Sequence, residues 1–194
     1  MQEQGATVIA QYAAESTDLT AFGFAVPAPW FQSVGSVVLI ALTPLFAVMW
    51  LRLDRSAAPP TTAQKFSAAL VIAGLSCVLL VLPAAQEGLS SPLWLVGSMA
   101  LVTVGEMFLA PIGLSATSRM APAAFSTQTM GLWLASGAAG QGIAAQLVVF
   151  YDADTAGVYF GVVGAGTLVL GLGLFALAPA LRGRTETALP AADR

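Results

Sequence analysis

Residues 92–118 read PLWLVGSMALVTVGEMFLAPIGLSATS, and Glu106 is the only charged residue among them. About 20 residues of α-helix, rising 1.5 Å per residue, cross the hydrocarbon core of a bilayer. This stretch is therefore long and apolar enough to span a membrane. A carboxylate at bilayer depth costs about 2.5 kcal/mol or more unless it is paired or neutralised, so Glu106 is a candidate functional residue.

The rest of the 194-residue chain repeats this pattern, with 57% apolar and only 9% charged residues. Soluble domains carry about 25% charged residues. Residues 1–16 resemble the outer end of a helix cut short at its N-terminus, and further apolar runs cover about residues 30–53, 64–84, 126–151 and 156–181. We therefore expect an all-α membrane protein in which residues 1–181 form one bundle of five full transmembrane helices and a partial one.

Charge placement predicts the orientation of this bundle. When the helices are threaded back and forth, all seven basic residues fall on one side: Arg52, Arg55, Lys65, Arg119, Arg182, Arg184 and Arg194. The other side holds only acids: Glu15, Asp18, Glu87, Asp152 and Asp154. By the positive-inside rule the basic side is cytoplasmic, which predicts a multi-pass protein of the cell membrane with a polar cytoplasmic tail over residues 182–194. The net charge of −3 then gives no indication of a nucleic-acid partner.

The residue types also exclude several kinds of chemistry. The chain has no histidine and a single cysteine, Cys77, inside an apolar run. It therefore lacks the second thiol of a disulfide and the most common general base and metal ligand. No nucleophilic triad or phosphate-binding loop can be assembled from the other residues. We predict that the chain is not an enzyme and has no cofactor; a membrane-embedded enzyme is the weak alternative.

Three residues are candidates for function. Glu106 is either a proton-binding or amine-binding site in a water-filled cavity or a buried acid that holds helices together. No basic residue lies at its depth, so its counter-ion must come from outside this chain, and Pro111 predicts a bent or broken helix beside it. Glu3 belongs either to an intramembrane polar cluster or to an exposed terminus. Trp133 is either the wall of a cavity or an interhelical contact.

Several short motifs occur in a characteristic order. They are Glu3-Gln4-Gly5, then Pro29-Trp30-Phe31-Gln32-Ser33, then Gly105-Glu106 with Pro111 and Gly113-Leu114-Ser115, and finally Met130-Gly131-Leu132-Trp133. With these motifs the chain resembles the C-terminal half of the proton-dependent oligopeptide transporter family, a branch of the major facilitator superfamily. The resemblance covers nearly all of residues 1–181 and implies the C-terminal half of a major facilitator fold.

The resemblance implies a portion of a symporter that moves di- and tripeptides with protons, driven by the proton gradient and without a cofactor. Glu106 would bind the peptide amino terminus and pair with a lysine of the N-terminal half of the transporter. Glu3 would take part in proton coupling, and Trp133 would line the peptide pocket. Because the N-terminal half is missing from this sequence, the chain would supply one wall of the cavity and would be incomplete alone.

Two positions depart from the pattern of the resembled family. Gly35 stands where that family usually has asparagine, and Ala110 stands where it often has serine. These departures leave the substrate preference open. Two other functions also stay open: another major facilitator, such as an exporter, and a non-transporting membrane interaction protein that survives as a degenerate half.

Overall fold

The computed structural model describes residues 8–17, 20–21, 24–25, 27, 30, 32–56, 59–86 and 88–186. Most of this part of the chain is helical: α1 (Val8–Ser16), α2 (Gln32–Asp54), α3 (Thr62–Ala84), α4 (Pro92–Met120), α5 (Ser126–Val148) and α6 (Ala156–Glu186). Two strands of two residues each, β1 (Thr20–Ala21) and β2 (Phe24–Ala25), pair antiparallel between α1 and α2. The protein is therefore helical, as expected, with a minimal hairpin in one loop.

Among the described residues, four helical segments are long and apolar enough to cross a membrane: Ser33–Leu53, Thr62–Ala84, Pro92–Arg119 and Ala153–Ala180. The expectation of five full transmembrane helices plus a partial one is not matched by this count. The helix that falls short is α5, which has 23 residues but carries three glutamines and four glycines that lower its hydropathy. Its length alone would still allow it to span a bilayer.

The structure describes the two chain ends to different extents. Helix α1 is the described part of the expected partial helix and has nine residues, whereas residues 1–7 lie outside the described part of the chain. At the other end, α6 continues to Glu186 and includes the first residues of the segment expected as a polar tail, 182–194. The backbone of α6 thus continues beyond the apolar run that predicts it.

Polar side chains cap the N-termini of α3 and α4. The side chain of Thr61 accepts a hydrogen bond from the Gln64 backbone N–H at 3.3 Å, and the Thr61 N–H donates to Gln64 Oε1 at 2.9 Å. This reciprocal pair satisfies two N–H groups near the start of α3. Helix α4 begins after Ser91, whose Oγ accepts from the Leu93 N–H, and its first residue is Pro92. Proline suits this position because its fixed φ matches the helix and its missing N–H is not needed there.

Helix α3 is the centre of the bundle and packs between α4 and α6. Glycines allow the α3 and α6 backbones to touch: a Cβ on Gly74 would lie 3.0 Å from the Leu168 backbone nitrogen, and one on Gly164 would lie 3.1 Å from the Gly74 carbonyl oxygen. Small residues support such contacts in lipid, where packing replaces the hydrophobic driving force between helices. Ser67 Oγ adds a hydrogen bond to the Gly171 carbonyl at 2.7 Å.

Helices α3, α4 and α6 form a three-helix slab, and the remaining helices lie on its surface. Ser98 Oγ of α4 donates to the Ser76 carbonyl of α3 at 2.9 Å, which joins the second pair of slab helices. Helices α2 and α5 both pack against α4. Helix α5 contains no buried residue, so it is the most loosely attached of the long helices among the described residues.

Helix α1 is attached to the slab by a polar and aromatic contact at one end of the bundle. Tyr12 OH donates to Ser90 Oγ at 3.2 Å, and the Ser90 backbone N–H donates to the Ser16 carbonyl at 2.9 Å. Thr17 forms a parallel β-bridge with Ser90. The ring of Tyr12 meets Phe160 of α6 edge-on at 5.4 Å between ring centres. The end of α1 is thus held against the starts of α4 and α6.

The antiparallel helices separate the charges between two ends of the bundle. The acidic end holds the α1 contact and three exposed carboxylates: Glu15, Asp152 and Asp154. The basic end holds the cations of the described loops and helix ends: Arg52, Arg55, Lys65 and Arg119. At the basic end, Lys65 Nζ lies 4.7 Å from the centre of the Trp50 ring, a cation–π contact between α3 and α2.

We expect Gly164→Ala to lower the free energy of unfolding by about 1–3 kcal/mol, the usual cost of overpacking. The new Cβ would lie 2.9 Å from a methyl carbon of Val78 and 3.1 Å from the Gly74 carbonyl oxygen. Gly166→Ala is the matched control, since a Cβ there meets nothing within 4 Å. Denaturant unfolding of both variants in micelles measures the difference, and equal stabilities would contradict the importance of the glycine contact.

Candidate functional site

Glu106 lies at the midpoint of α4, fourteen residues from each end of the helix. The preceding residue, Gly105, is buried against α3, where an added Cβ would lie 3.2 Å from the Ala69 carbonyl oxygen. Since helical residues are about 100° apart, the next side chain points away from that contact. Glu106 is half-buried, and its Oε1 atom has no hydrogen-bond partner within the part of the chain that the structure describes. The carboxylate therefore needs a partner that these residues do not provide.

Pro111 changes the backbone next to this carboxylate. It lies five residues beyond Glu106, and α4 continues through it to Met120. Proline has no N–H, so the carbonyl of Met107 loses the donor that a helix ordinarily supplies four residues later. A carboxylate and a backbone acceptor without its usual donor are thus neighbours in sequence. Two acceptors of this kind suit a ligand that carries N–H donors.

Trp133 of α5 packs directly on α4 where α4 has no side chain. A Cβ on Gly113 would overlap Cζ2 and Cη2 of the Trp133 indole. The same ring meets Phe66 of α3 edge-on, with 6.2 Å between ring centres. The indole is half-buried and occupies the space of the absent side chain. The interhelical contact that was one of the two expectations for Trp133 is therefore present.

The structure places Glu106 and the Trp133 contact on the same face of α4. Gly113 follows Glu106 by seven residues, which is about two turns and about 10 Å along the helix axis. Trp133 lies toward the basic end, since α5 starts at Ser126 beside the end of α4. The third predicted residue, Glu3, lies outside the described residues, so its position relative to the other two stays a prediction.

On another side of α4, the contact with α2 is very close. Phe108 meets Phe46 at 5.2 Å and Trp50 at 5.3 Å between ring centres, both edge-on. Nearer the start of α2, a Cβ on Gly35 would lie 3.1 Å from Thr103 Oγ1, one turn before the residue that carries the carboxylate. An asparagine at position 35, as in the resembled family, would therefore require Thr103 to move.

Sequence reasoning did not identify Gly113 and Thr103 as parts of this site. Gly113 lies within a recognised motif, but its contact with Trp133 joins positions 20 residues apart on different helices. No sequence pattern distinguishes Thr103 as a site residue. Its hydroxyl donates to the Met99 carbonyl, as threonine does in many apolar helices. Only the packing of α2 and α5 on α4 identifies the two residues.

Other features of the described residues do not form a site of this kind. No group of three or more His, Cys, Asp or Glu residues in this part of the chain could hold a metal ion. A groove of about 280 Å³ lies between the end of α5 and the start of α6, with apolar side chains such as Phe150, Val158 and Val162 in its walls. Glu106 and Trp133 do not line it.

The comparisons with known proteins agree with one another. The model of the POT family matches residues 1–163. A transporter of Bacillus subtilis (strain 168), the uncharacterized transporter YclF, is 44% identical over 184 residues, which are 94% of this chain and 37% of the relative. A di-/tripeptide transporter of Lactococcus lactis subsp. cremoris is 32% identical over 180 residues, 89% of this chain and 36% of the relative.

A solved structure shows the same fold. A mutant of the peptide transporter POT in complex with alafosfalin is 45% identical and superimposes with a TM-score of 0.88, covering 98% of this chain and 38% of that one. The chain thus spans little more than a third of the length of the proteins it matches. Its helices are those of a multi-pass membrane protein, and the match extends over most of its sequence. The chain belongs to the POT family, which is a family of transporters.

Proposed function

We propose that this chain is the C-terminal half of a proton-coupled symporter for di- and tripeptides and that it works together with an N-terminal half. The observation that carries the proposal is the carboxylate of Glu106, which is half-buried at the midpoint of a membrane helix and whose Oε1 atom has no hydrogen-bond partner among the described residues. The name of the Lactococcus lactis relative and the family membership support the substrate class. In the complete transporter, this chain would work together with the further segments that the longer relatives contain.

The peptide amino terminus is the proposed ligand of Glu106. A carboxylate in a site of low dielectric constant binds an ammonium group strongly, because little water competes for either charge. The backbone carbonyl of Met107, which lacks its ordinary helical donor, offers a second acceptor next to it. In the absence of peptide, a lysine from the N-terminal half would neutralise Glu106, and Trp133 would line the pocket nearby.

Proton coupling requires a second acid that exchanges protons while the peptide is bound. We assign this role to Glu3, on the segment that leads into α1. Helix α1 is held against the starts of α4 and α6 through Tyr12 and Ser90. A change of charge at Glu3 would therefore act on the element that is attached to the helix carrying Glu106. The proton gradient would drive the cycle by favouring one of two states of the complete transporter.

Helix α5 is proposed as the fifth full transmembrane helix, next to the partial one that includes α1. Its 23 residues span about 34 Å, which exceeds the hydrocarbon thickness of about 30 Å. Glutamines and glycines are tolerated in a helix that borders a water-filled cavity. With α5 across the bilayer of the cell membrane, the basic end and the C-terminus of the chain lie in the cytoplasm.

We expect Glu106→Gln to reduce proton-driven uptake of a labelled dipeptide by the complete transporter in proteoliposomes about tenfold or more. The amide cannot form the charge-assisted contact with the ammonium group, which contributes about 1.5–3 kcal/mol. Glu15→Gln is the matched control, because Glu15 is exposed and its contact is a hydrogen bond from Gln11 on the same helix.

The same measurement separates the alternatives. Uptake that is unchanged in Glu106→Gln would count against a peptide site there. Export of a substrate, lost on the same substitution while peptide uptake is absent from the start, would favour an exporter. If substitution of neither Glu3 nor Glu106 affects any transport, the chain would be a membrane interaction protein.

A labelling experiment tests the span of α5 and the orientation together. In a Cys77→Ser background, we expect Asp154→Cys to react with a membrane-impermeant maleimide on intact cells and Arg55→Cys to react only after permeabilisation. Both positions are exposed, and three helices lie between them, so they end on opposite sides only if α5 crosses the bilayer. Labelling of both from the same side would exclude α5 as a span, and reversed labelling would invert the orientation.

A further inference from the structure

We propose that Gly113 is a specificity-determining position of this transporter: it seats the Trp133 indole, and the seated indole limits the length of the peptide that can bind at Glu106. The inference rests on the proposed function, since it takes Glu106 as the site of the peptide amino terminus. It adds a residue to that site and a physical reason for a limit on ligand length.

Among the glycines in the described part of the chain, Gly113 is the one where an added Cβ would come closest to another atom, and that atom belongs to the Trp133 indole. A Cβ on Gly113 would overlap the indole, whereas the nearest atom to a Cβ on Gly74 is 2.8 Å away. The glycines of α5 itself, such as Gly137, have nothing within 4 Å. Any side chain at position 113 must therefore displace the indole, since ordinary contacts begin near 3.4 Å.

The Trp133 indole is held by residues of two slab helices and not only by its own helix, α5. Gly113 belongs to α4 and Phe66 to α3, and these two helices are joined by backbone contact at Gly105 and by the hydrogen bond of Ser98. The helix that carries Trp133 has no buried residue of its own. Glu106 and Gly113 both belong to α4. The position of the ring relative to Glu106 is therefore determined by the slab helices.

The distance from Glu106 to Gly113, where the indole packs, corresponds to the length of a short peptide. Glu106 and Gly113 lie on one face of α4, about 10 Å apart along the axis. An extended peptide advances by about 3.3–3.6 Å per residue, so three residues cover the same length. A peptide whose ammonium group binds Glu106 and whose chain runs along this face reaches the indole with its third residue. A fourth residue would need the space that the indole occupies.

The test compares dialanine, trialanine and tetraalanine as competitors of labelled dipeptide uptake by the complete transporter. In the wild type we expect dialanine and trialanine to compete and tetraalanine to compete at least about tenfold more weakly. In Gly113→Ala the displaced indole should weaken trialanine about tenfold relative to dialanine. In Trp133→Leu, tetraalanine should compete within a few-fold of trialanine, because the ring no longer closes this side of the site.

Two controls make the result specific. Gly137→Ala introduces the same methyl group on α5, one turn from Trp133, and should keep the wild-type ratios. Gly113→Ala in the Trp133→Leu background should have no further effect on the ratio of trialanine to dialanine, because the smaller side chain leaves the new methyl group free. If Gly113→Ala does not accumulate in the membrane, the tetraalanine result in Trp133→Leu decides alone.

The outcomes distinguish the inference from the function on which it rests. Identical ratios of the three competitors in wild type, Gly113→Ala and Trp133→Leu would overturn the inference and leave a peptide transporter. Failure of all three peptides to compete in the wild type would overturn the proposed function, and the length limit with it.

Discussion

The contact between the α3 and α6 backbones is the constraint on which the rest of the structure depends. Gly74 and Gly164 bring main-chain atoms of the two helices together, and the Ser67 hydroxyl bonds the Gly171 carbonyl across the same interface. In lipid, apolar surface gains little from leaving its solvent, so close packing and interhelical hydrogen bonds must hold helices in place. Helix α4 joins α3 at Gly105, and α1, α2 and α5 pack against the resulting slab.

The proposed site combines a rigid part with a loosely attached part. Glu106 belongs to the slab, whereas Trp133 belongs to α5, which has no buried residue and is fixed near the slab by the contact of its indole with Gly113. A transporter must change shape around its substrate, and helices with few buried contacts are the ones that can move at low cost. The division between slab and surface helices therefore suits a site that closes and opens, with the carboxylate as its fixed point.

Much of the fold could be predicted from sequence because apolar length and charge placement are local signals. The apolar run around Glu106 predicts α4, and the separation of basic from acidic loops follows from threading the helices. Helix α5 was expected to span with the others, yet its glutamines and glycines lower its hydropathy below that of the four apolar spans. The Gly113–Trp133 contact could not be predicted, since it depends on the relative rotation of two helices. Glu3 lies outside the described residues, so its role rests on resemblance alone.

The carboxylate of Glu106 also explains why the chain is proposed as part of a larger transporter. At bilayer depth an unpaired charge costs about 2.5–3.5 kcal/mol by insertion scales, and burial without a partner costs more. Within the described residues, neither a hydrogen-bond donor for its Oε1 atom nor a cation in the middle of the spans offsets this cost. Three species can do so: a proton, the ammonium group of a peptide and a cation from the opposing half. Because they compete for one carboxylate, binding of the ammonium group displaces the proton or the opposing cation from Glu106. A proton that moves in the same direction as the peptide therefore has to be held by a second acid, the role proposed for Glu3.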